Sequence, residues 1–348
     1  MRIASLLFLI LCVLSPVSAY AVEETAPPPP ESAAEYMPED TESFADGIWQ
    51  IVRDAVKNLA PSVAEAGKVC IMLITAVFCL SIVQNLTDKT PAILDLVGSV
   101  VIASALLYSS NSMISLAIST IREISDYGKL LIPVLSGTLA FQGASTTSAS
   151  LYTGTVIFDS ILSKTIYSLL TPLIYVYICL AIASSAVGEN ILTKLRDFCK
   201  WCVTWALKII LYVFTGYMTI TGVVSGSTDA SVMKATKITI SGAVPVVGGI
   251  LADASESVLV SAGLIKNSIG IYGLLVIGAI WIEPFLKIGV HYLLLKLTVG
   301  ICEVFGTKSA VTLIKNFTTA MGLLLAMTGA VCLMLLISVV CFMKGVSL

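Results

Sequence analysis

Long uncharged apolar runs, separated by short polar stretches, make up most of this chain. Residues 69–86, 166–187 and 320–343 contain no Asp, Glu, Lys or Arg. Each is close to the ~20 residues that an α-helix needs to cross the ~30 Å hydrocarbon core of a bilayer. The chain is 57% hydrophobic and 12% charged, with a mean hydropathy of +0.96, which excludes an ordinary soluble domain. The sequence therefore predicts an all-α, polytopic helical membrane protein.

The apolar runs predict about seven spans and two shorter broken elements. The expected spans are 69–86, 92–110, 166–187, 203–224, 268–282, 286–303 and 320–343. Residues 130–142 and 238–252 are also apolar, but they are too short to cross and contain proline and glycine. Such short runs are typical of re-entrant or interfacial elements, whose irregular backbone needs protein or water to satisfy it.

The N-terminus has the pattern of a secretory signal peptide over residues 1–21. Arg2 supplies a positive start, residues 6–14 are apolar, and Ala19-Tyr20-Ala21 offers the small-x-small cleavage pattern. An uncleaved signal anchor is the alternative. Both readings place the following residues outside the cytoplasm.

Residues 22–67 differ in composition from the rest and are expected to form an acidic exported segment. They hold ten acidic and two basic residues, a net charge of −8. The proline tract at 27–30 predicts an extended, disordered tether over 22–41. An amphipathic helix should follow from Phe44, lying either on the membrane surface or against the spans. Residues 68–348 then form the membrane domain.

Seven spans with an external N-terminus predict a cytoplasmic C-terminus. The inner segments would be 87–91, 188–202, 283–285 and 344–348. Their cations are Lys89, Lys194, Arg196, Lys200 and Lys344. This density of positive charge in short loops favours the orientation.

The sharpest local pattern is a broken apolar segment within residues 236–258. Its candidate functional residues, for lining a pore or contacting a partner, are Gly242, Pro245, Gly248, Gly249 and Asp253. Broken helices at membrane depth commonly hold ion or substrate contacts. A hinge or a close helix crossing, which also needs small residues, is the alternative.

Glu283, Lys287 and His291 form a second candidate group. They are spaced four residues apart, so a helix places them on one face. An intramembrane polar stripe of this kind could carry protons or ions. The alternative, which we favour, is an internal ion pair facing neighbouring helices.

The sequence offers little material for catalysis or cofactor binding. It has one histidine, no G-x-S-x-G turn, no P-loop and no basic aromatic surface for nucleic acid. Cys199-x-x-Cys202 has no second Cys pair, so it is weak evidence for a metal or redox site. We therefore expect no enzymatic activity, no catalytic or metal-binding residue, no cofactor and no nucleic-acid partner.

The order of these features resembles the stage III sporulation protein AE family of endospore-forming bacteria. The resemblance covers the signal, the acidic exported segment, the early spans and above all residues 237–254, KITISGAVPVVGGILADA. The Pro-Val-Val-Gly-Gly core followed by Asp253-Ala254 is its most specific part. The family has no established catalytic residues, so none is carried over.

The resemblance implies a permease-like, multi-pass component of the channel complex that joins mother cell and forespore. It also implies a place in the mother-cell membrane around the forespore and a need for the protein in late forespore development. The expected partners are the lipid bilayer and other stage III channel-complex proteins, with a homo-oligomer left open. A self-contained secondary transporter for a small solute or ion is the alternative. Internal repeats would favour it, but 130–142 and 238–252 match poorly.

Overall fold

The computed structural model describes residues 27–38, 44–86, 91–141, 145–188, 190–220 and 268–345. Every regular element in these ranges is a helix. The helices are α1 (Glu31–Ala34), α2 (Phe44–Lys57), α3 (Ala60–Leu86), α4 (Pro91–Phe141), α5 (Ser145–Thr165), α6 (Thr171–Val187), α7 (Asn190–Ile220), α8 (Ser268–Phe305) and α9 (Lys308–Gly345). A π-helical turn, Ile166–Leu170, joins α5 directly to α6.

Six helical segments within the described ranges are long and apolar enough to cross a membrane. The predicted all-α polytopic fold is therefore confirmed. The count of about seven differs by one because 268–282 and 286–303 form the single helix α8, which contains Pro284. A proline removes one backbone hydrogen bond, but a helix supported by neighbouring helices can continue through it.

Helix α4 is much longer than a membrane crossing requires. It has 51 residues, or about 76 Å, and it runs through Pro133 without ending. The expectation of a separate broken element over 130–142 is therefore wrong, because residues 130–141 extend the helix that begins at Pro91. The other such element, 238–252, lies outside the described residues.

Helix α9 occupies the centre of the described bundle. Of the 18 residues in the apolar stretch of α9 that could cross a membrane, 89% are buried. The corresponding share is 22–50% in the other five candidate spans. It packs against α4, α5, α6, α7 and α8. A helix that is apolar on all sides belongs in such a position, because each of its faces needs a partner.

Side-chain pairs fix the direction of each helix relative to α9. The hydroxyl oxygens of Ser99 in α4 and Ser309 in α9 lie 3.2 Å apart, and a Cβ on Gly128 would lie 3.0 Å from the Leu335 side chain. Because residue numbers rise in the same direction along both helices, α4 and α9 are parallel. The continuous helix α5–α6 is antiparallel to α9, since Ser185 contacts Ser309 and Thr155 contacts Ser338.

These directions correct the predicted position of the C-terminus. The ends of α3, α6 and α8 and the starts of α4, α7 and α9 all lie at one end of the bundle, which we call the near end. Gly345 lies at the opposite, far end. The expectation that the C-terminus shares a side with 87–91 and 188–202 is therefore wrong. The merging of 268–282 with 286–303 removes one crossing and the predicted inner loop at 283–285.

The acidic N-terminal segment packs on the bundle where it is described. Ala33 is fully buried and Tyr36 is 5% exposed, and Ser32 donates a 2.7 Å hydrogen bond to Glu123 of α4. The prediction of a disordered tether is wrong for residues 27–38, because a short apolar face anchors them. Helix α2 packs on α8 and buries Ile51 and Ala55, which matches the docked alternative.

Candidate functional site

The Glu283–Lys287–His291 stripe lies on α8, on one face as predicted. Lys287 forms an ion pair with Glu283, and both side chains are partly buried. His291 is 3% exposed, and its Nδ1 lies 3.0 Å from the carbonyl oxygen of Lys287. The structure therefore shows an internal ion pair and a buried imidazole. A role of the stripe in proton or ion passage stays a prediction.

The N-terminal segment covers the Glu283 end of this stripe. The hydroxyl of Tyr36 interacts with the Glu283 carboxylate, and Asn58 donates a 3.3 Å hydrogen bond to the same hydroxyl. Burial raises the pKa of Tyr36, and the charges of Glu283 and Glu35 raise it further. The hydroxyl therefore stays protonated and able to donate near neutral pH. A contact of this kind ties the segment before α2 to the middle of α8.

The broken segment predicted as a pore or partner element lies outside the described residues. This applies to Gly242, Pro245, Gly248, Gly249 and Asp253. Their role stays a prediction.

A polar groove between α4 and α5 is a further candidate, which the sequence patterns did not reveal. Ser125 donates a 2.9 Å hydrogen bond to Asp159 and lies 3.3 Å from the Ser163 hydroxyl. Lys129 and Asp159 both line the same cavity of about 370 Å³, and Leu335 of α9 closes one wall. Lys129 also forms a 2.7 Å ion pair with Asp126. An acid, a lysine and hydroxyls thus meet among apolar spans, where polar groups are costly unless they are paired or functional.

Two irregularities of the backbone flank this groove. Pro133 lines it and cannot bond the carbonyl of Lys129, four residues earlier, so that carbonyl lacks its usual helical partner. The π-helical turn begins at Ile166, three residues after Ser163. Single π turns inside α-helices are frequent at functional sites. The groove therefore combines unusual side chains with unusual backbone.

Sequence reasoning missed this groove because its members are far apart in the chain. Ser125 and Asp159 are 34 positions apart, and they meet only when α4 and α5 pack. The one available signal was Asp159 itself, an acid within the apolar run VIFDSIL. A charged residue inside such a run is costly unless it has a polar partner, so Asp159 indicated one on a neighbouring helix.

The groove does not have the parts of a hydrolytic site. Ser125 has Asp159 beside it, but the buried His291 belongs to α8 and hydrogen-bonds within its own helix. Cys199 and Cys202 are free thiols on α7, and the described residues contain no group of three or more His, Cys, Asp or Glu placed to hold a metal. The arrangement is better suited to holding a polar group or an ion than to nucleophilic chemistry.

A family model described as stage III sporulation protein AE matches residues 34–345. The chain belongs to this family. A curated relative, stage III sporulation protein AE of Bacillus subtilis (strain 168), is 23% identical over 272 residues, which are 77% of this chain and 68% of the relative. No solved structure matches the chain. The match spans both the docked N-terminal segment and the helical bundle, so this member of the stage III sporulation protein AE family is a multi-pass membrane protein of sporulation.

The hydrogen bond between Ser125 and Asp159 in the polar groove should contribute to the stability of the folded protein. Asp159→Ala should lower the free energy of unfolding by about 1.5–3 kcal/mol, because Ser125 loses a charged acceptor. Asp159→Asn keeps an acceptor oxygen and should recover most of that loss. Thermal unfolding of the detergent-purified protein measures both variants. Equal losses for Ala and Asn would show that the negative charge, and not the hydrogen bond, stabilises the groove.

Proposed function

We propose that this protein is a membrane-embedded assembly subunit of the multiprotein channel that connects mother cell and forespore. In this proposal it resides in the mother-cell membrane around the forespore and supports late forespore development. Its partners are other stage III sporulation proteins of the complex. It has no enzymatic activity of its own.

The central position of α9 is the observation that supports this proposal. A self-contained transporter or channel needs a hydrated path or a midplane site between its helices. In the described bundle, α9 fills the middle with tightly packed apolar side chains such as Phe317, Leu324 and Phe342. A chain with a filled centre is better suited to building the wall or the frame of a larger assembly. The self-contained transporter is therefore the weaker alternative.

Recovery of the native assembly tests the proposal. The full chain would carry a C-terminal affinity tag and would be purified from sporulating cells after mild cross-linking. We expect it to elute as a complex much larger than 36.8 kDa, together with other stage III sporulation proteins. The same tag on an unrelated mother-cell membrane protein is the control. Purification without membrane partners, combined with solute flux by the chain alone in proteoliposomes, would overturn the proposal.

The segment around Pro245, Gly248 and Gly249 is proposed to contact these partners. Paired glycines allow a close approach of two backbones, which a larger side chain prevents. Gly249→Leu should therefore reduce the number of heat-resistant spores by about tenfold or more while membrane abundance stays normal, if one close contact is worth ~1.4 kcal/mol or more in assembly. Asp253→Asn, close by, tests whether charge matters instead. Normal sporulation of Gly249→Leu at normal abundance would make the segment a passive connector.

A further inference from the structure

A cavity of about 420 Å³ lies between α7, α8 and α9. Lys200, Lys296 and Lys315 line it, one from each helix, and Glu303 is the single carboxylate in its wall. Three cations and one anion leave a net charge of +2 on the cavity lining. Charges of one sign gathered in this way attract an anion.

The three lysines have little to bind within the part of the chain that the structure describes. The ion pairs found there involve other residues. Lys296 lies 5.7 Å from the centre of the Tyr292 ring, which is a weak partner for an ammonium group. The hydroxyls of Thr318 and Thr319, also in the wall, already donate to the carbonyls of Ile314 and Lys315. The ammonium groups therefore remain the main donors to a bound anion.

A shallow, open apolar groove on the surface of α8 adjoins this cavity and shares Lys296 and Gly300 with it. The groove runs along α8 towards the near end, and it is formed by the apolar side chains of that one helix, namely Leu293, Leu297, Ile301, Val304 and Phe305. Val304 is 85% exposed. A cationic cavity that opens into an apolar groove fits a molecule with an anionic head and a hydrocarbon tail.

We propose that the cavity and groove bind one anionic phospholipid, independently of the assembly role. The phosphate would lie among Lys200, Lys296 and Lys315, and an acyl chain would lie along the exposed apolar face of α8. Basic pockets between membrane helices bind anionic headgroups in this way. Trp201 and Trp205 stand beside Lys200 on the exposed face of α7, and tryptophan is enriched at the headgroup level of bilayers.

Gly300 lines both the cavity and the groove, so a larger side chain at this position tests whether one ligand occupies both. A Cβ added at Gly300 would have no atom within 4 Å, so Gly300→Leu fills the junction without a clash at its first atom. Gly289 on the same helix is equally open and lines neither cavity nor groove. Gly289→Leu is therefore the matched control.

The experiment measures lipid selectivity of the purified full chain in nanodiscs. Phosphatidylglycerol is titrated against phosphatidylcholine, and retained lipid is counted by native mass spectrometry. We expect a preference of about tenfold or more for phosphatidylglycerol, since clustered lysines attract an anionic headgroup and have no such attraction for a zwitterionic one. Replacing Lys200, Lys296 and Lys315 together by Gln should remove the preference. The same change at Lys57, Lys68 and Lys164, outside the cavity, should leave it intact.

Additional measurements distinguish binding of a lipid from binding of a free anion, and they include a variant pair that does not depend on the triple lysine variant. Gly300→Leu should reduce phosphatidylglycerol retention by about tenfold, while Gly289→Leu should not. Inorganic phosphate at millimolar concentration should not displace the lipid. Displacement by phosphate without any effect of Gly300→Leu would identify a simple anion site and overturn the proposal. If the triple lysine variant fails to fold, the comparison of the two glycine variants decides alone, and equal retention by both refutes the site.

Discussion

Leu324→Asp in α9 should remove folded protein from the membrane. Leu324 is 1% exposed and lies in the central helix, with apolar neighbours on all sides. An unpaired carboxylate there costs several kcal/mol, which is comparable to the whole stability of a typical domain. We expect membrane abundance, measured by immunoblotting, to fall by about tenfold or more. The remaining protein should elute as aggregate in detergent.

The matched control for this prediction is Leu324→Met. Leucine and methionine have nearly the same volume, so the exchange should cost less than about 1.5 kcal/mol and leave abundance unchanged. Normal abundance and normal elution of Leu324→Asp would mean that water reaches the centre of the bundle. A self-contained transporter would then become the better reading.

The existence of the helices could be predicted from the sequence, but their ends could not. Uncharged runs such as 69–86 and 320–343 lie within α3 and α9, because hydrocarbon length and apolar composition leave few alternatives. The expected inner loop at 283–285 contains Pro284, which has no backbone N–H to donate to a helix. In the structure it lies inside α8, where neighbouring helices support the backbone around the missing hydrogen bond.

The candidate site within one helix could be predicted from the sequence, whereas the sites formed between helices could not. The face shared by Glu283, Lys287 and His291 follows from helical spacing alone, and the ion pair on it was the favoured reading of the pattern. The groove holding Ser125 and Asp159, and the cavity holding three lysines, each depend on the packing of separate helices. Which helices become neighbours was not visible in the spacing of residues, so neither group could be assembled from the sequence.

Gly306→Val should strongly destabilise the hairpin between α8 and α9. The helices are joined by only two residues, 306 and 307, and the amide of Gly306 donates a 2.7 Å hydrogen bond to the Cys302 carbonyl. A Cβ at this position would lie 2.5 Å from that carbonyl oxygen and 2.7 Å from Val77 of α3. Because the first of these atoms is backbone, it cannot turn aside as a side chain can. We expect a loss of about 1–3 kcal/mol, or several degrees in Tm, measured by thermal unfolding in detergent.

The matched control for Gly306→Val is Gly289→Val on the same helix. A Cβ at Gly289 has no atom within 4 Å, and valine is a somewhat better helix former than glycine, so this variant should be neutral or slightly stabilising. The comparison separates steric exclusion from backbone freedom. Among the described glycines only Gly188, which ends α6, has a positive φ, at 74°. Gly306 is therefore required for space and not for a left-handed backbone. Equal melting temperatures for the two valine variants would show that α3 and the α8–α9 hairpin separate easily, which a tightly packed central helix does not allow.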